Sequence, residues 1–333
     1  MKADDLSVGT VRGDQTIPSR AIEVAVLVPC FNEEVTIGNV VRGFRESLPE
    51  ATVYVYDNNS SDATGRLAAG AGAVVRTETR QGKGFVVRRM FADVEADVYL
   101  LVDGDDTYDA VGAPLLVAKV VEEGFDVANG SRRSDYSGTS RRGHAVGNTL
   151  IAGAVTRMFR RPAGDMLSGY KAFSRRFVKS FPVSSSGFEI ETELTVHALD
   201  LEMPMAEVEL RYRERPEGSE SKLSTFGDGL RIAVTIARLY RLERPLSFFS
   251  IIAGLILVAA FVLGVPLVLT FSHTHLVPRF PTAFLVVGLL IVMCLSVVSG
   301  LVLDTVTRGR REAKMMRYLA IPSPLAAARR PGR

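Results

Sequence analysis

The sequence predicts an α/β domain with a mostly parallel sheet, followed by a hairpin of two membrane-spanning helices. From residue 22 to residue 212, apolar runs of strand type end in polar loops and are followed by helix-type segments. Two later stretches, 246–270 and 282–303, contain no charged residue. At ~1.5 Å per residue, a helix of that length covers a ~30 Å hydrocarbon layer, and such uncharged spans are rare in soluble domains.

The elements of the α/β domain follow one another along the chain. The predicted strands cover 22–29, 51–56, 73–76, 99–102, 125–130, 171–173 and 204–212, and the principal helices cover roughly 34–48, 85–94, 141–159 and 187–201. The apolar face of the first helix consists of Val35, Ile37, Val40, Val41 and Phe44. The run 99–102 has no polar break, which predicts a strand buried on both faces. Loops that follow parallel strands meet at one sheet edge, where we expect the site.

The composition restricts the partners and the compartment. The chain has 333 residues and a net charge of +3, so its bulk charge gives no case for a nucleic-acid partner. Cys30 follows a strand-type run, whereas Cys294 lies in an uncharged span, so a disulfide between them is not expected and a reducing compartment fits. Residues 1–20 are polar, lack a signal-peptide pattern and predict a disordered tail.

Three carboxylates, those of Asp103, Asp105 and Asp106, follow the predicted strand at 99–102, with Gly104 among them. A carboxylate buried without a partner would lose its hydration, so this cluster belongs at the exposed carboxyl end of the strand. Such a density of oxygen ligands suits Mg²⁺ or Mn²⁺, and the ion would need an anion such as a diphosphate beside it. The alternative is an acidic turn that opens a helix, where Asp stabilises the first turn. The cluster by itself leaves both interpretations open.

The chain after the α/β domain (21–225) divides into three parts. Residues 226–245 carry arginines among aliphatic residues and predict an amphipathic helix at the membrane surface. Residues 246–303 contain both spans, and residues 304–333 are a basic tail. Arginine and lysine cluster outside the spans, so the positive-inside rule places the large domain and both termini in the cytoplasm. Small residues in the first span lead us to expect a homo-oligomer formed through the hairpin, with contacts at Ala253, Gly254, Ala259, Ala260 and Gly264.

Seven short motifs follow one another along the domain. They are Pro29-Cys-Phe-Asn-Glu33, Asp57-Asn-Asn-Ser60, Gly82-Lys83-Gly84, Asp103-Gly104-Asp105, Gly130-Ser-Arg132 with Arg141-Arg142, Asp165 to Tyr170, and Arg215 to Lys222. Together with the hairpin, they resemble the family 2 glycosyltransferases of the GT-A fold, and among these the polyprenyl-phosphate glycosyltransferases of the dolichyl-phosphate mannose synthase type. The chain departs from the family pattern at Phe31, usually Tyr, and at Thr107, often a metal-binding Gln.

The resemblance implies a Rossmann-like GT-A catalytic domain that transfers a sugar, with inversion, from a UDP- or GDP-sugar to a polyprenyl phosphate at the cytoplasmic membrane face. It implies an Mg²⁺ or Mn²⁺ ion held by Asp103 and Asp105. It gives catalytic roles to Asp105, Arg132, Arg141 and Arg142. It gives nucleotide-binding roles to Pro29, Phe31, Asn32, Glu33, Asp57, Asn59, Lys83, Asp103, Gly104, Arg215 and Lys222.

The chemistry of a lipid phosphate acceptor fits this set of residues. Its second pKa is ~6, so it is already an anionic nucleophile at neutral pH and needs no general base. Cationic side chains must then bring two anions together, and Arg132, Arg141 and Arg142 are the candidates. The acids Glu189, Glu191 and Glu193 could instead form a solvated helix face, which we favour for Glu193.

Other functions remain as alternatives. A processive polysaccharide synthase requires a Gln-x-x-Arg-Trp motif, and the chain contains no Trp. A membrane glycosyltransferase acting on a polysaccharide or glycolipid, and a non-catalytic membrane module that binds nucleotide sugars, are the remaining two. Intact Asp103 and Asp105 argue against the non-catalytic module, because a binding module does not need a metal site.

Overall fold

The fold is seen in a computed structural model of the full chain. It describes residues 21–132, 152–160, 164–183, 185, 187, 189–213, 216, 228–277 and 279–323. Of the predicted site residues, Arg141, Arg142, Arg215 and Lys222 lie outside the described residues, as does the predicted tail 1–20.

A mixed, mostly parallel sheet forms the centre of the domain, as predicted. Over the described ranges it has seven strands in the order β3-β2-β1-β4-β6-β5-β7. The strands are β1 Val24–Cys30, β2 Thr52–Asp57, β3 Val74–Thr77, β4 Val98–Leu101, β5 Val127–Arg132, β6 Lys171–Ser174 and β7 Met205–Leu210. β6 runs antiparallel to β4 and β5, and the other neighbours are parallel. The reversal at β6 brings the loop that precedes it to the carboxyl ends of β4 and β5.

Helices cover both faces of the sheet. They are α1 Ile37–Ser47, α2 Thr64–Gly70, α3 Lys83–Asp93, a 3₁₀ turn at Ala110–Gly112, α4 Ala113–Val121, α5 at 152–159, α6 Arg175–Ser180, α7 Ile190–Asp200, α8 Asp228–Glu243, α9 Pro245–Thr274 and α10 Phe280–Leu319. The prediction for the first helix was wrong at Val35, which precedes α1 and is 52% exposed. The helix begins later because the Glu33 carbonyl accepts from the amides of Thr36 and Ile37 and forms a turn first.

The central strand β4 is buried on both faces, as its uninterrupted apolar sequence predicts. Tyr99 and Leu101 face a cluster built with α3, α6 and α7, whereas Val98 and Leu100 face a cluster built with α1 and α4. The Tyr99 hydroxyl donates to the Val94 carbonyl and accepts from the Ala96 amide, so its polar atom is satisfied inside the core. Two apolar faces therefore hold the strand rigidly, and the loop after it starts from a fixed position.

The helices α9 and α10 follow the domain. Within the described residues, these two helices have the length and apolar composition needed to cross a membrane, and most of their apolar surface is exposed. They have 30 and 40 residues, or about 45 and 60 Å of helix. The sequence predicts the end of the second span at residue 303 and a tail beyond it, whereas α10 continues without a break to Leu319.

The helix α8 lies against the α/β domain. Its residues Ile236 and Leu239 pack against a small cluster that includes Val155, Met166 and Leu199. The Arg244 side chain, directly after α8, donates to the Met158 carbonyl at 3.1 Å. The amphipathic pattern that predicts a membrane-surface helix therefore also serves to bury α8 residues against α5 and α7.

Candidate active site at the carboxyl ends of the strands

The loops after β1 and β2 are hydrogen-bonded to each other at one edge of the sheet. The Asn32 amide donates to Ser60 Oγ at 2.9 Å, and Asn32 Oδ1 accepts from the Ser61 amide at 2.9 Å. Asn32 has a φ of 53°, a left-handed conformation that Asn adopts more readily than most residues. The Glu33 amide donates to Thr64 Oγ1 at 2.8 Å. Residues 29–33 and 57–60, both predicted to bind nucleotide, thus form one rigid edge.

Asn58 connects this edge to the loop before α3, a role that the sequence does not reveal. Its Nδ2 donates to the carbonyls of Glu78 and Arg80 at 2.9 and 2.7 Å, and its Oδ1 accepts from the Gly82 amide at 2.7 Å. Gly82 has a φ of 135°, which favours glycine, and it lies directly before the first residue of α3. The neighbouring residues of the same motif remain at the edge, where Asp57 Oδ1 accepts from the Ser60 amide and Asn59 has a φ of 63°.

Lys83, the first residue of α3, lies between two carboxylates. Its ammonium group donates to Asp103 at the end of β4 and to Glu191 in the first turn of α7. Burial by itself would lower the pKa of Lys83, but the two carboxylates outweigh burial and raise it. Burial raises the pKa of Glu191, repulsion from Asp103 adds to this, and Lys83 opposes it. Lys83 thus holds two like charges together at the centre of the site.

Glu191 was not among the predicted site residues, although its spacing from Glu189 and Glu193 could have indicated that it faces the site. Residues two apart on a helix point about 200° away from each other, so Glu191 cannot share a face with Glu189 and Glu193. Glu191 is buried against Lys83, whereas Glu193 accepts from the amide and hydroxyl of Ser185 at 3.0 and 2.6 Å. The solvated face that we favoured for Glu193 is therefore wrong, since its carboxylate is half-buried and caps the loop before α7.

Asp105 is buried, with 5% of its surface exposed. Its Oδ1 accepts from the amide and hydroxyl of Thr107 at 3.2 and 2.6 Å. Thr107 therefore orients Asp105. The Asp103 carboxylate lies against Gly169, where a Cβ would collide with it, so glycine leaves the space that this carboxylate occupies.

This pair of carboxylates fits a small divalent cation bound together with a phosphate group. In the described part of the chain, no cluster of three or more His, Cys, Asp or Glu side chains could enclose a metal by itself. Mg²⁺ and similar ions are commonly held by one or two carboxylates, with substrate phosphates and water completing the shell. Asp103 and Asp105 at the end of β4 supply such a pair, and the remaining ligands would come from a bound diphosphate.

Arg132 ends β5 and forms a bidentate ion pair. Its Nε and terminal amino group lie 2.8 and 2.9 Å from the two oxygens of Asp165. Burial raises the pKa of Asp165, but the hydrogen bonds from Arg132 outweigh it, so the pKa is lowered and the carboxylate stays ionised. The Arg132 guanidinium also lies over the Tyr212 ring, 5.6 Å from its centroid. Asp165 and Tyr212 therefore hold this guanidinium in one orientation.

Lys171, the first residue of β6, is a buried cation that the sequence reading missed. It is 2% exposed, and its ammonium group donates to Asn129 Oδ1 at 2.6 Å and to the Met166 carbonyl at 3.3 Å. Burial lowers the pKa of Lys171 to about 8, against attraction from Glu191 and Asp165. A lysine at the start of a short strand normally points to solvent, so only the antiparallel insertion of β6 reveals its position.

The chain shares sequence similarity with known glycosyltransferases. The family model described as Glycosyl transferase family 2 matches residues 25–181. Glycosyltransferase AglJ of Haloferax volcanii is 35% identical over 229 residues, which cover 68% of this chain and 75% of that protein. The chain belongs to glycosyltransferase family 2. The prediction that it is an enzyme of this family is confirmed.

This family 2 glycosyltransferase is also similar to proteins whose acceptor or bound ligands are known by name. Dolichyl-phosphate hexose transferase of H. volcanii is 27% identical over 223 residues, covering 67% of this chain and 96% of that protein. Glucosyl-3-phosphoglycerate synthase of Mycobacterium tuberculosis, in complex with phosphoglyceric acid, matches with a TM-score of 0.55 at 24% identity, covering 65% of this chain and 79% of that chain. A complex of that enzyme with Mn²⁺, UDP and phosphoglyceric acid matches with a TM-score of 0.52. The structural likeness confirms the predicted GT-A fold.

Proposed function

We propose that this family 2 glycosyltransferase transfers a hexose, with inversion, from a nucleotide sugar to a polyprenyl phosphate at the cytoplasmic face of the membrane. The observation that carries the proposal is the covalent order of the molecule. A charged site at the carboxyl edge of a GT-A sheet is followed, after α8, by two helices that could cross a membrane. The similarity to a dolichyl-phosphate hexose transferase supports the same acceptor class.

The donor site of this proposal is the edge formed by β1, β2 and β4. Pro29, Phe31, Asn32, Glu33, Asp57, Asn59, Lys83, Asp103, Gly104, Arg215 and Lys222 are the proposed nucleotide contacts. Asp103 and Asp105 would hold Mg²⁺ or Mn²⁺, and the complex of a fold relative with Mn²⁺ and UDP supports a divalent ion. Such an ion offsets the negative charge that builds on the departing nucleoside diphosphate. Lys83 holds the Asp103 carboxylate in place, and Thr107 does the same for Asp105.

The acceptor site of this proposal is formed by arginines. Arg132, Arg141 and Arg142 would bind the lipid phosphate and bring it to the donor, against the repulsion between two anions. For Arg132 the bidentate bond to Asp165 supports this role, because a guanidinium fixed in orientation loses less freedom when it binds a phosphate. Because the lipid phosphate is already ionised, the residues need only position it. Its oxygen bonds to C1 of the hexose as the bond between C1 and the nucleoside diphosphate breaks, and the nucleoside diphosphate leaves with the electron pair of that bond.

The proposed topology places the catalytic domain and both termini in the cytoplasm, with two transmembrane helices between. Arginines and lysines lie on α8 and beyond Asp304, whereas residues 275–279 carry a single full charge, on Arg279. In this orientation, the phosphate of a membrane-held acceptor and the soluble donor reach the same side of the bilayer. For the homo-oligomer expected through the hairpin, Ala253, Ala260 and Gly264 are not free contacts, because the first two are buried within the monomer and Gly264 approaches Val286 of α10. The exposed small residues Gly254 and Ala259 remain the candidates for an oligomer contact.

The acceptor can be tested with the purified full chain in lipid nanodiscs. Radiolabelled UDP- and GDP-hexoses would be supplied with either polyprenyl phosphate or the matching neutral polyprenol. The proposal expects labelled lipid with the phosphate, a requirement for Mg²⁺ or Mn²⁺, and no product with the polyprenol. Equal transfer to the polyprenol would refute the lipid phosphate acceptor, and transfer only to an added glycan would favour the polysaccharide or glycolipid alternative.

A further inference from the structure

The second membrane helix extends far beyond the bilayer and contacts the catalytic domain. Residues 304–319, which we name the α10 extension, add about 24 Å of uninterrupted helix after the uncharged span. Arg311 lies 3.0 Å from the Glu202 carboxylate and 3.6 Å from Asp200. Lys314 lies 3.2 Å from Asp200. Two cations on the α10 extension thus meet two acids at the end of α7.

The last turn of the α10 extension enters the domain itself. The Tyr318 hydroxyl donates to Asp126 Oδ2 at 2.8 Å, and Met315 and Tyr318 pack against the core cluster on the α3, α6 and α7 face. Asp126 is fully buried and also binds Arg176, whose guanidinium lies over the Tyr318 ring, 4.6 Å from its centroid. A buried carboxylate requires such partners, and Tyr318 adds a donor to those that Ser174 and Arg176 supply.

The α10 extension is joined rigidly to the membrane hairpin at its other end. Gly300 of α10 lies so close to α9 that a Cβ on it would be 2.9 Å from the Cβ of Phe249. One turn into the extension, the Thr307 hydroxyl donates to the Leu242 carbonyl of α8 at 3.3 Å. From Gly300 to Tyr318 the helix covers about 27 Å without a break. Because both of its ends make contacts, the α10 extension connects the hairpin to the domain as one continuous helix.

The helix α7 connects the α10 extension to the site. Its last residue, Asp200, pairs with Lys314, and its first turn carries Glu191, which binds Lys83. These two positions on α7 are about 13.5 Å apart along one rigid helix. The helix α7 is thus bound by the α10 extension at its last residue and by Lys83 of the site in its first turn.

We infer that the α10 extension is an orienting strut, which holds the catalytic domain at one height and angle above the bilayer so that a membrane-held acceptor phosphate meets the donor edge. Arg311, Lys314 and Tyr318 are positioning residues in this view, because they touch neither substrate. The acceptor class in this inference rests on the proposed function, whereas the orienting role itself does not. Without the strut, the contacts that remain in the described residues between the domain and the hairpin run through α8 and Arg244, and the domain can tilt.

The functional test uses the double variant Arg311→Glu/Lys314→Glu in the full chain. Transfer to long-chain polyprenyl phosphate in nanodiscs should fall at least about tenfold, since small misplacements of reactants cost rate steeply. Transfer to a short-chain, water-soluble analogue should stay within about twofold, because the site itself is intact. Adding Asp200→Lys/Glu202→Lys should restore the long-chain rate. The matched control is Arg308→Glu, which reverses a charge on the same helix at a residue paired with Asp304.

A distance measurement tests the strut without relying on activity. The measurement is fluorescence resonance energy transfer in a Cys294→Ser background. One dye would be attached at Glu122→Cys on the exposed end of α4, and the second dye would be attached to lipid headgroups. The chain with the wild-type strut and the Arg308→Glu control should each give one narrow distribution of energy-transfer efficiency between the two dyes. The double variant Arg311→Glu/Lys314→Glu should give a broad distribution. An unchanged, narrow distribution of energy-transfer efficiency in the double variant would overturn the orienting role. So would an equal loss of sugar transfer to the short-chain and long-chain acceptors. A broadened distribution in an enzyme that uses no lipid phosphate would retain the strut and reject the proposed acceptor.

Discussion

Individual side chains in the site are held by partners far away in the chain. Lys83 is bound by Asp103 and Glu191, and Arg132 is bound by Asp165. Each pair places a cation against a carboxylate in partly buried surroundings, where removal of one charge leaves the other without compensation. We therefore expect that replacing one charged residue of such a pair by a neutral one changes stability and activity according to which charged partner is left.

Asp105→Asn tests the proposed metal role with little risk to the fold. The amide keeps an oxygen that can accept from Thr107, so the thermal unfolding temperature should change little, while turnover should fall more than about 100-fold. The matched control is Asp106→Asn, because Asp106 has a φ of 57° that Asn tolerates. Turnover that persists in Asp105→Asn, or in wild-type enzyme with excess chelator, would contradict the metal role.

Lys171 should make stability depend on pH in the alkaline range. Burial lowers its pKa from 10.5 to about 8. Below pH 8 it is protonated in both states, and the cost of burying its charge is fully present. Between these pKa values the unfolded chain binds more protons than the folded chain, so the free energy of unfolding rises with pH.

The variant Lys171→Met removes this titration. The difference in free energy of unfolding between wild type and Lys171→Met should change in favour of wild type by up to about 3 kcal/mol from pH 8 to 10.5. Urea titrations of the full chain in detergent would measure it. Lys119→Met, at a lysine paired with Glu123 on the surface, should show no such change over pH 8 to 9.5. A pH-independent difference for Lys171→Met would refute the lowered pKa.

Among the elements, the loop after β4 and the helix α10 contribute to the molecule in different ways. In the loop after β4, Thr107 orients the Asp105 carboxylate and Gly169 leaves room for that of Asp103. The helix α10 instead acts over its length, since its first part is apolar and its last turns bind the domain. Its last turn should therefore contribute to the stability of the soluble domain.

Tyr318 offers a graded test of that contribution. Tyr318→Phe removes a hydroxyl that donates to a buried carboxylate and should lower the free energy of unfolding by about 1.5–3 kcal/mol. Tyr318→Ala should cost more, because the ring also packs on the core and lies under Arg176. Thermal unfolding of both variants in detergent would measure the order. A Phe variant as stable as wild type would show that the Asp126 contact contributes nothing.

The whole molecule combines an α/β sheet domain with an apolar hairpin, and in the proposed function its orientation decides which substrates can meet. In the proposed topology, residues 275–277 lie outside the cytoplasm and the α10 extension lies inside it. The two native cysteines interfere little with labelling, since Cys30 is buried and Cys294 lies within the second apolar helix. A pair of single cysteines can therefore report the orientation.

Leu276→Cys and Glu312→Cys form that pair. In intact cells, a membrane-impermeant maleimide should label Leu276→Cys, which is exposed between α9 and α10, and should leave Glu312→Cys unlabelled. Both should react after permeabilisation. Labelling of Glu312→Cys from outside, with Leu276→Cys protected, would reverse the proposed topology and place the site on the other side of the membrane.

Local patterns were sufficient for the sequence to determine the order of the seven strands, the buried strand before Asp103 and the two uncharged spans. Each of these follows from periodicity, composition or length within a short window. The first helix shows the limit of such patterns, because an apolar residue at Val35 fits the periodicity but lies in the turn before α1.

Only the tertiary structure decided which distant groups share a site. Lys83 and Glu191 are 108 residues apart, and Asp126 and Tyr318 are 192 apart, and nothing in either neighbourhood specifies the other. Lys171 became a buried cation because β6 enters the sheet antiparallel to its neighbours. The physical reason is that charge pairing and burial depend on which surfaces meet after folding, whereas sequence periodicity reports only which side of an element is apolar.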